Sequence, residues 1–203
     1  RKVKNRNYRL EEVEPAPGHK LTGRVWHFSI GGKDLDPYAQ GVSRSGRDLS
    51  TSINFDSSSL NIVKPMGENQ GSDKNTVDPN IVEVLEFTNE FKIDSNTEIN
   101  PGDYFVLKLP DTINLHGILT AEQSGLDIFA DGVGTIAKAD YDKNAGTITY
   151  TFTNYAKNFT LIDFSSNISA YIDIYNVKES TDNVDVSLKV GDEGPENKVK
   201  VDY

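Results

Sequence analysis

The sequence predicts an all-β fold, an antiparallel β-sandwich, and three observations carry that prediction. Apolar residues recur at every second position in several separate runs, the pattern of strands that turn one face to a core. Asn, Asp, Gly and Pro cluster between those runs, where tight chain reversals need them. No stretch sustains the i, i+3, i+4, i+7 apolar stripe of a long helix. At 203 residues the chain is long enough for one large sandwich or two small domains. The lack of helical patterning argues for one β-rich unit with an extension.

The clearest strand is TITYTFT, in which Ile148, Tyr150 and Phe152 alternate with Thr147, Thr149, Thr151 and Thr153, as in a half-buried strand. The same alternation marks Phe105, Leu107 and Leu109; Ile168, Ala170, Ile172 and Ile174; and Val184, Val186, Leu188 and Val190. In IVEVLEFTNEFKI, Leu85, Phe87, Phe91 and Ile93 point to one side. NPGD and DKNAG supply the turns, and GILTAEQSG gives at most one short helical turn. KPMGENQGSDKNTVDPN, residues 64–80, is polar and aperiodic and reads as a long loop. It divides a sandwich over 81–203 from an N-terminal extension over 1–80, packed on the sandwich. The strands of that extension are LTGRVWHFSI and STSINF.

Charge is unevenly spread. Residues 1–50 hold ten Lys and Arg against six Asp and Glu, whereas residues 51–203 hold eleven against 25. An acidic body repels phosphate backbones and anionic lipid, so nucleic acid is a poor partner for the bulk of the chain. No run approaches the roughly 20 apolar residues of a membrane span, and direct membrane insertion by this segment is not expected. Cysteine is absent, which removes disulfides, thiol catalysis and thiolate metal sites together. With no initiator Met and no signal-peptide pattern, an excised segment is expected.

The basic front end concentrates recognition chemistry. All six arginines lie at or before Arg47, and the single tryptophan is among them. Trp26 and His27 sit in the WHFSI run. The Gly-rich loop that follows carries Asp34, Asp36, Tyr38, Arg44 and Arg47. Arg and Tyr combine large contact area with directed donors, as binding hot spots do. Aromatic faces beside carboxylates and guanidinium groups also suit sugar rings. These seven residues are therefore the predicted ligand-binding set. The alternative readings are a core Trp26, and Arg44 and Arg47 that simply balance the acidic sandwich.

Other constellations are weaker. Asp140, Asp142 and Asn144 imitate the start of a calcium loop, but Gly146 falls one place late and Thr151 stands where a bidentate Glu belongs. A hairpin turn is the expectation, with no metal site. GVSRSG lacks the spacing of a nucleophile elbow, and His19, His27 and His116 have no paired spacing for zinc. Catalytic residues and cofactors are not predicted.

Residues 81–203 resemble the second ligand-binding subdomain of Gram-positive cell-wall adhesins of the fibrinogen- and collagen-binding type. The matching pieces run in order: VLEFTNEFKI, NPGDYFVLKLPD, YDKNAGTITYTFTNY, ISAYIDIYNV and DVSLKVGDEGPENKVKVDY. The resemblance implies an immunoglobulin-like variant of the sandwich, a cell-wall-anchored extracellular location and a non-enzymatic role. The partner it implies is a host plasma or matrix protein or a complement regulator. Lectin-like binding of a host glycan or glycolipid headgroup is the alternative, and the chain is expected to be a monomer.

In such adhesins a strand from a following domain latches beside the TYTFT strand. The resemblance therefore implies a strand-addition edge at Thr151, Thr153, Asn154 and Tyr155. Asn154 and Ala156 stand where the family commonly has Asp and Val. Some related domains carry a Lys–Asn isopeptide bond. Lys92 or Lys108 with Asn197 and Glu86 would be the set here, though nothing in the sequence selects them over solvated surface residues.

Overall fold

The computed structural model describes residues 46–64, 75–94, 96–115, 126–130, 134–157 and 163–203, together with the backbone of two N-terminal strands. Those two are β1 (Arg6–Glu11) and β2 (Val25–Ile30). Then follow β3 (Ile53–Val63), β4 (Thr76–Val77), β5 (Val84–Ile93), β6 (Tyr104–Lys108), β7 (Ile113–Asn114), β8 (Ile128–Ala130) and β9 (Gly134–Asp142). The chain continues through β10 (Thr147–Phe152), α1 (Asn154–Lys157), β11 (Asp163–Ile172), β12 (Thr181–Asp185), β13 (Lys189–Val190) and β14 (Lys198–Val201). The four residues of α1 and one 3-10 turn at Pro79–Ile81 are the only helix among the described residues.

Two sheets build the core. One has the order β3-β5-β11-β7, the other β13-β6-β10-β9-β8, and every pairing in both is antiparallel. A third, small sheet has the order β12-β14-β4, with β14 and β4 parallel. β1 and β2 pair separately, with Leu10 opposite Trp26 and Arg9 opposite His27.

The alternation read from the sequence sets the packing. In β5 burial follows a period of two, and Leu85, Phe87, Phe91 and Ile93 are buried as expected. Phe105, Leu107 and Leu109 of the β6 segment, and Ile168, Ala170 and Ile172 of β11, are buried too. The rings of Phe91 and Phe164 in one sheet meet Phe105 of the other at centroid distances of 5.5 and 5.6 Å. Phe105 in turn stacks on Tyr150 at 5.0 Å. Each buried aromatic contributes about 1.5–3 kcal/mol by leaving water, and ring pairs add about 0.5–1.5 kcal/mol.

Four details depart from the sequence expectation. β10 is not half-buried: Thr149 and Thr151, and Thr153 just beyond the strand, are buried along with the apolar residues. Ile174 has left β11 and lies exposed in a turn. The INF run of STSINF grows into the eleven-residue β3, which pairs with β5 along its length and so belongs to the sandwich. Within 64–80, Val77 is buried and β4 pairs with β14, so part of the expected loop is sheet.

A polar row interrupts the core. Ser58, Asn89 and Ser166 lie in cross-strand register on β3, β5 and β11. The Ser58 hydroxyl donates to Asn89 Oδ1 at 2.8 Å, and Asn89 Nδ2 reaches Ser166 Oγ at 3.5 Å. A two-residue slip of β5 would keep Asn89 on the core face but set it opposite Leu60 and Ile168 in place of Ser58 and Ser166, so the row favours the observed register. From the facing sheet, burial pushes the Tyr150 hydroxyl far above its ordinary pKa. Ser166 partly offsets that shift, although no hydrogen bond of standard geometry reaches the Tyr150 oxygen.

Candidate functional site

Arg47 is the one member of the predicted front-end set whose side chain is described. It belongs to a strap, residues 46–49, laid along the start of β6. The Leu49 N–H donates to the Tyr104 carbonyl at 2.7 Å, and the Tyr104 N–H returns a bond to the Arg47 carbonyl at 3.0 Å. Asp103 anchors the strap, with its side chain 3% exposed against 59% for Arg47. Its Oδ1 accepts from the Arg47 N–H at 2.8 Å. Its Oδ2 accepts from Arg47 Nη2 at 2.8 Å and from the Asn100 N–H at 2.9 Å. Burial alone would raise the Asp103 pKa, but these bonds and the Arg47 charge bring it below the ordinary carboxylate value. Arg47 thus serves the scaffold, and its guanidinium also bonds the Glu98 carbonyl.

Trp26 and His27 lie in β2, described by its backbone alone. Asp34, Asp36, Tyr38 and Arg44 lie outside the described residues. The seven are not brought together among the described residues, and their role in binding stands as a proposal.

The strand-addition edge placed at Thr151, Thr153, Asn154 and Tyr155 is corrected. β10 is hydrogen-bonded on both sides: Thr151 faces Tyr104 of β6 and Lys138 of β9. The Thr153 hydroxyl donates to the Thr135 carbonyl at 2.6 Å, and Asn154 and Tyr155 begin α1. A strand with two partners has no free donors or acceptors to offer a third. Asp142 behaves as a turn residue, since its Oδ1 accepts from the N–H groups of Asn144 and Ala145 between β9 and β10. Lys92 and Lys108 pair with Asp56 and Asp192; the Asn197 backbone N–H donates to Ser187 Oγ, and its side-chain Nδ2 is buried without a hydrogen-bond partner among the described residues.

Two surfaces remain. The first follows β11, around the turn that begins at Asp173. Tyr175 is 79% exposed, Ile174 46% and Tyr203 41%. The Tyr203 hydroxyl donates to the Val177 carbonyl and its N–H to Ser180 Oγ, so the last residue flanks the same segment. A shallow cleft of about 750 Å³ lies there, lined by Thr112, Tyr175–Glu179 and Thr181–Val184. Sequence reasoning missed Tyr175. The sequence alternation runs on to Ile174 and gave no sign that β11 stops at Ile172, which leaves Tyr175 in a turn with no core to enter.

The second surface is the seam where β3 and β13, end strands of the two core sheets, come side by side. A cleft of about 720 Å³ opens between Ile53–Ser58 and residues 185–196.

Comparison with known proteins fits this architecture. The family described as "Bacterial Ig domain" matches residues 78–183. Serine-aspartate repeat-containing protein D of Staphylococcus aureus is 29% identical over 134 residues, 65% of this chain and 10% of its own length. Bone sialoprotein-binding protein of the same species is 27% identical over 71% of this chain and 12% of its own length. The chain thus spans about a tenth of the length of these curated relatives. Among solved structures, a serine-rich repeat protein of Streptococcus agalactiae superposes with a TM-score of 0.62 at 24% identity. It covers 78% of this chain and 47% of that one. A serine-rich repeat adhesion glycoprotein of the same organism gives 0.57 at 23% identity, over 78% and 49%. At such identities these two structures speak to the fold alone.

Proposed function

The chain belongs to the bacterial Ig domain family, and from that premise we propose that it is a non-enzymatic adhesin domain of a bacterial surface protein that captures a host plasma or matrix protein. The observation that carries the proposal is the exposed apolar surface of Ile174, Tyr175 and Tyr203 at one end of a rigid sandwich. A Tyr largely free of neighbours on an otherwise polar surface is the side chain that gains most from being covered by a partner. One relative is named for binding bone sialoprotein, which supports a protein partner for this chain. The front-end residues Trp26, His27, Asp34, Asp36, Tyr38 and Arg44 are proposed as a further contact in their own right, whereas Arg47 is held by Asp103.

The test is an array of plasma and matrix proteins probed with the whole chain, followed by the affinity of Tyr175→Ala for whatever binds. A host protein on the array and a loss of about tenfold or more with Tyr175→Ala, the scale of a hot-spot truncation, are the expected results. Tyr175 makes no core contact to lose, so the variant should keep its thermal midpoint. A blank array overturns the adhesin reading. Unchanged affinity in Tyr175→Ala overturns the placement of the surface.

A further inference from the structure

The seam between the sheets has the features of a second interaction surface, separate from Tyr175. Among the described residues no strand pairs with the outer edge of β3, so the edge presents backbone donors and acceptors without ladder partners. The six edge residues that line the cleft, Ile53–Ser58, span roughly 20 Å in extended form. That length matches a peptide of about six residues. The floor is apolar: Ile53 and Val190 are buried, and the half-buried Phe55 rests on Phe91 at 5.0 Å.

The rim is acidic. Asp56, Asp185, Asp192, Glu193 and Glu196 line the cleft against the single lysine Lys189. Three of these acids already hold lysines, as Asp56–Lys92, Asp192–Lys108 and Glu196–Lys198. All three pairs lie at the surface, where such pairs are worth only about 0–1 kcal/mol and exchange readily for an incoming cation. The far wall is stiff. Val190 and Glu193 exchange backbone bonds at 2.9 and 3.2 Å. Gly194 packs so closely that a Cβ there would lie 2.1 Å from the Leu188 carbonyl oxygen.

β3 also carries a bulge between Phe55 and Ser57, with Asp56 in it. A bulge with a charge guards an edge against indiscriminate strand pairing. The same carboxylate selects among candidates, because an apolar or acidic strand would leave it desolvated or repelled, whereas a cationic strand would pair with it.

We propose that the seam between β3 and β13 binds an extended basic segment of a partner protein, added as a strand to β3 with apolar side chains over Phe55 and alternate cations at the acidic rim. Period-two alternation in the partner follows from strand geometry, which sends successive side chains to opposite faces.

The probe is a synthetic ten-residue peptide alternating Lys and Val, with a Glu–Val peptide and a backbone N-methylated Lys–Val peptide as controls. Binding to the full chain is followed by amide hydrogen exchange and by titration at two salt concentrations. The Lys–Val peptide should slow exchange within residues 54–60 and should weaken about tenfold from low to high salt. The N-methylated and acidic peptides should not bind. Asp56→Lys combined with Glu193→Lys, both exposed positions, should reverse the preference toward the Glu–Val peptide. Protection outside β3, equal binding of the acidic and basic peptides, or indifference to N-methylation overturns the proposal. So does loss of peptide binding in Tyr175→Ala, which would assign the peptide to the other surface. Host-protein capture that survives the double charge reversal leaves the adhesin reading intact, so the two readings fail separately.

Discussion

Replacing Asp103 with Asn removes the charge that ties residues 46–49 to the sandwich and changes almost nothing else. Three donors converge on the carboxylate: the Arg47 N–H, Arg47 Nη2 and the Asn100 N–H. An amide can offer its oxygen to one side only. Its NH2 group must then face at least one remaining donor, and a buried donor left unmatched costs about 1–3 kcal/mol. The guanidinium is more than half exposed and rehydrates, so the ion-pair share is discounted for screening. The expected loss is therefore about 2–3 kcal/mol, or about 4–12 °C in thermal midpoint for a chain of this size.

Urea titration of wild type and Asp103→Asn reads the difference directly, and pH supplies the second axis. The folded-state pKa of Asp103 lies below its unfolded value. Its stabilisation is therefore fully present above about pH 4 and is lost as pH falls through the folded value. The gap between the two proteins should close on acidification from about pH 5 to pH 2. A loss under about 0.5 kcal/mol, the usual scale of a neutral surface change, would refute the clamp, as would a gap that ignores pH.

The remaining expectations concern neighbouring parts of the core. Gly46→Ala would place a Cβ 2.3 Å from the Asp103 nitrogen and 2.4 Å from the Gly102 carbonyl carbon. Both are backbone atoms that cannot swing aside, so the strap should lift at a cost of about 1–3 kcal/mol. Faster amide exchange at Leu49 and Tyr104 would report it, and unchanged exchange would contradict it. Tyr150→Phe deletes a buried hydroxyl that forms no standard hydrogen bond, so denaturation should show a change between neutral and about 1 kcal/mol of added stability. A destabilisation above about 1 kcal/mol would mean the hydroxyl is satisfied after all.

Periodicity determined much of this protein before any coordinate was known. Alternation placed the inward residues of β5, β6 and β11, because a strand that buries one face can hide only every second side chain. Even the gap in the β5 series, at residue 89, carried information: Asn89 is where the core admits a polar row. Local turn chemistry was equally legible, since the Asp142 bonds span only two or three residues.

Only the tertiary structure decided which strands lie in the middle of a sheet and which at its rim. TITYTFT looks the same either way in sequence, yet β6 and β9 pair with it on both sides and deny it the edge role. Arg47 and Asp103, 56 residues apart, meet because the chain crosses from the strap into β3 while β6 returns beneath it. No local pattern encodes that meeting. Tyr175 and the β3 seam escaped the sequence for the same reason: exposure is a property of what fails to pack, and packing is settled by segments distant along the chain.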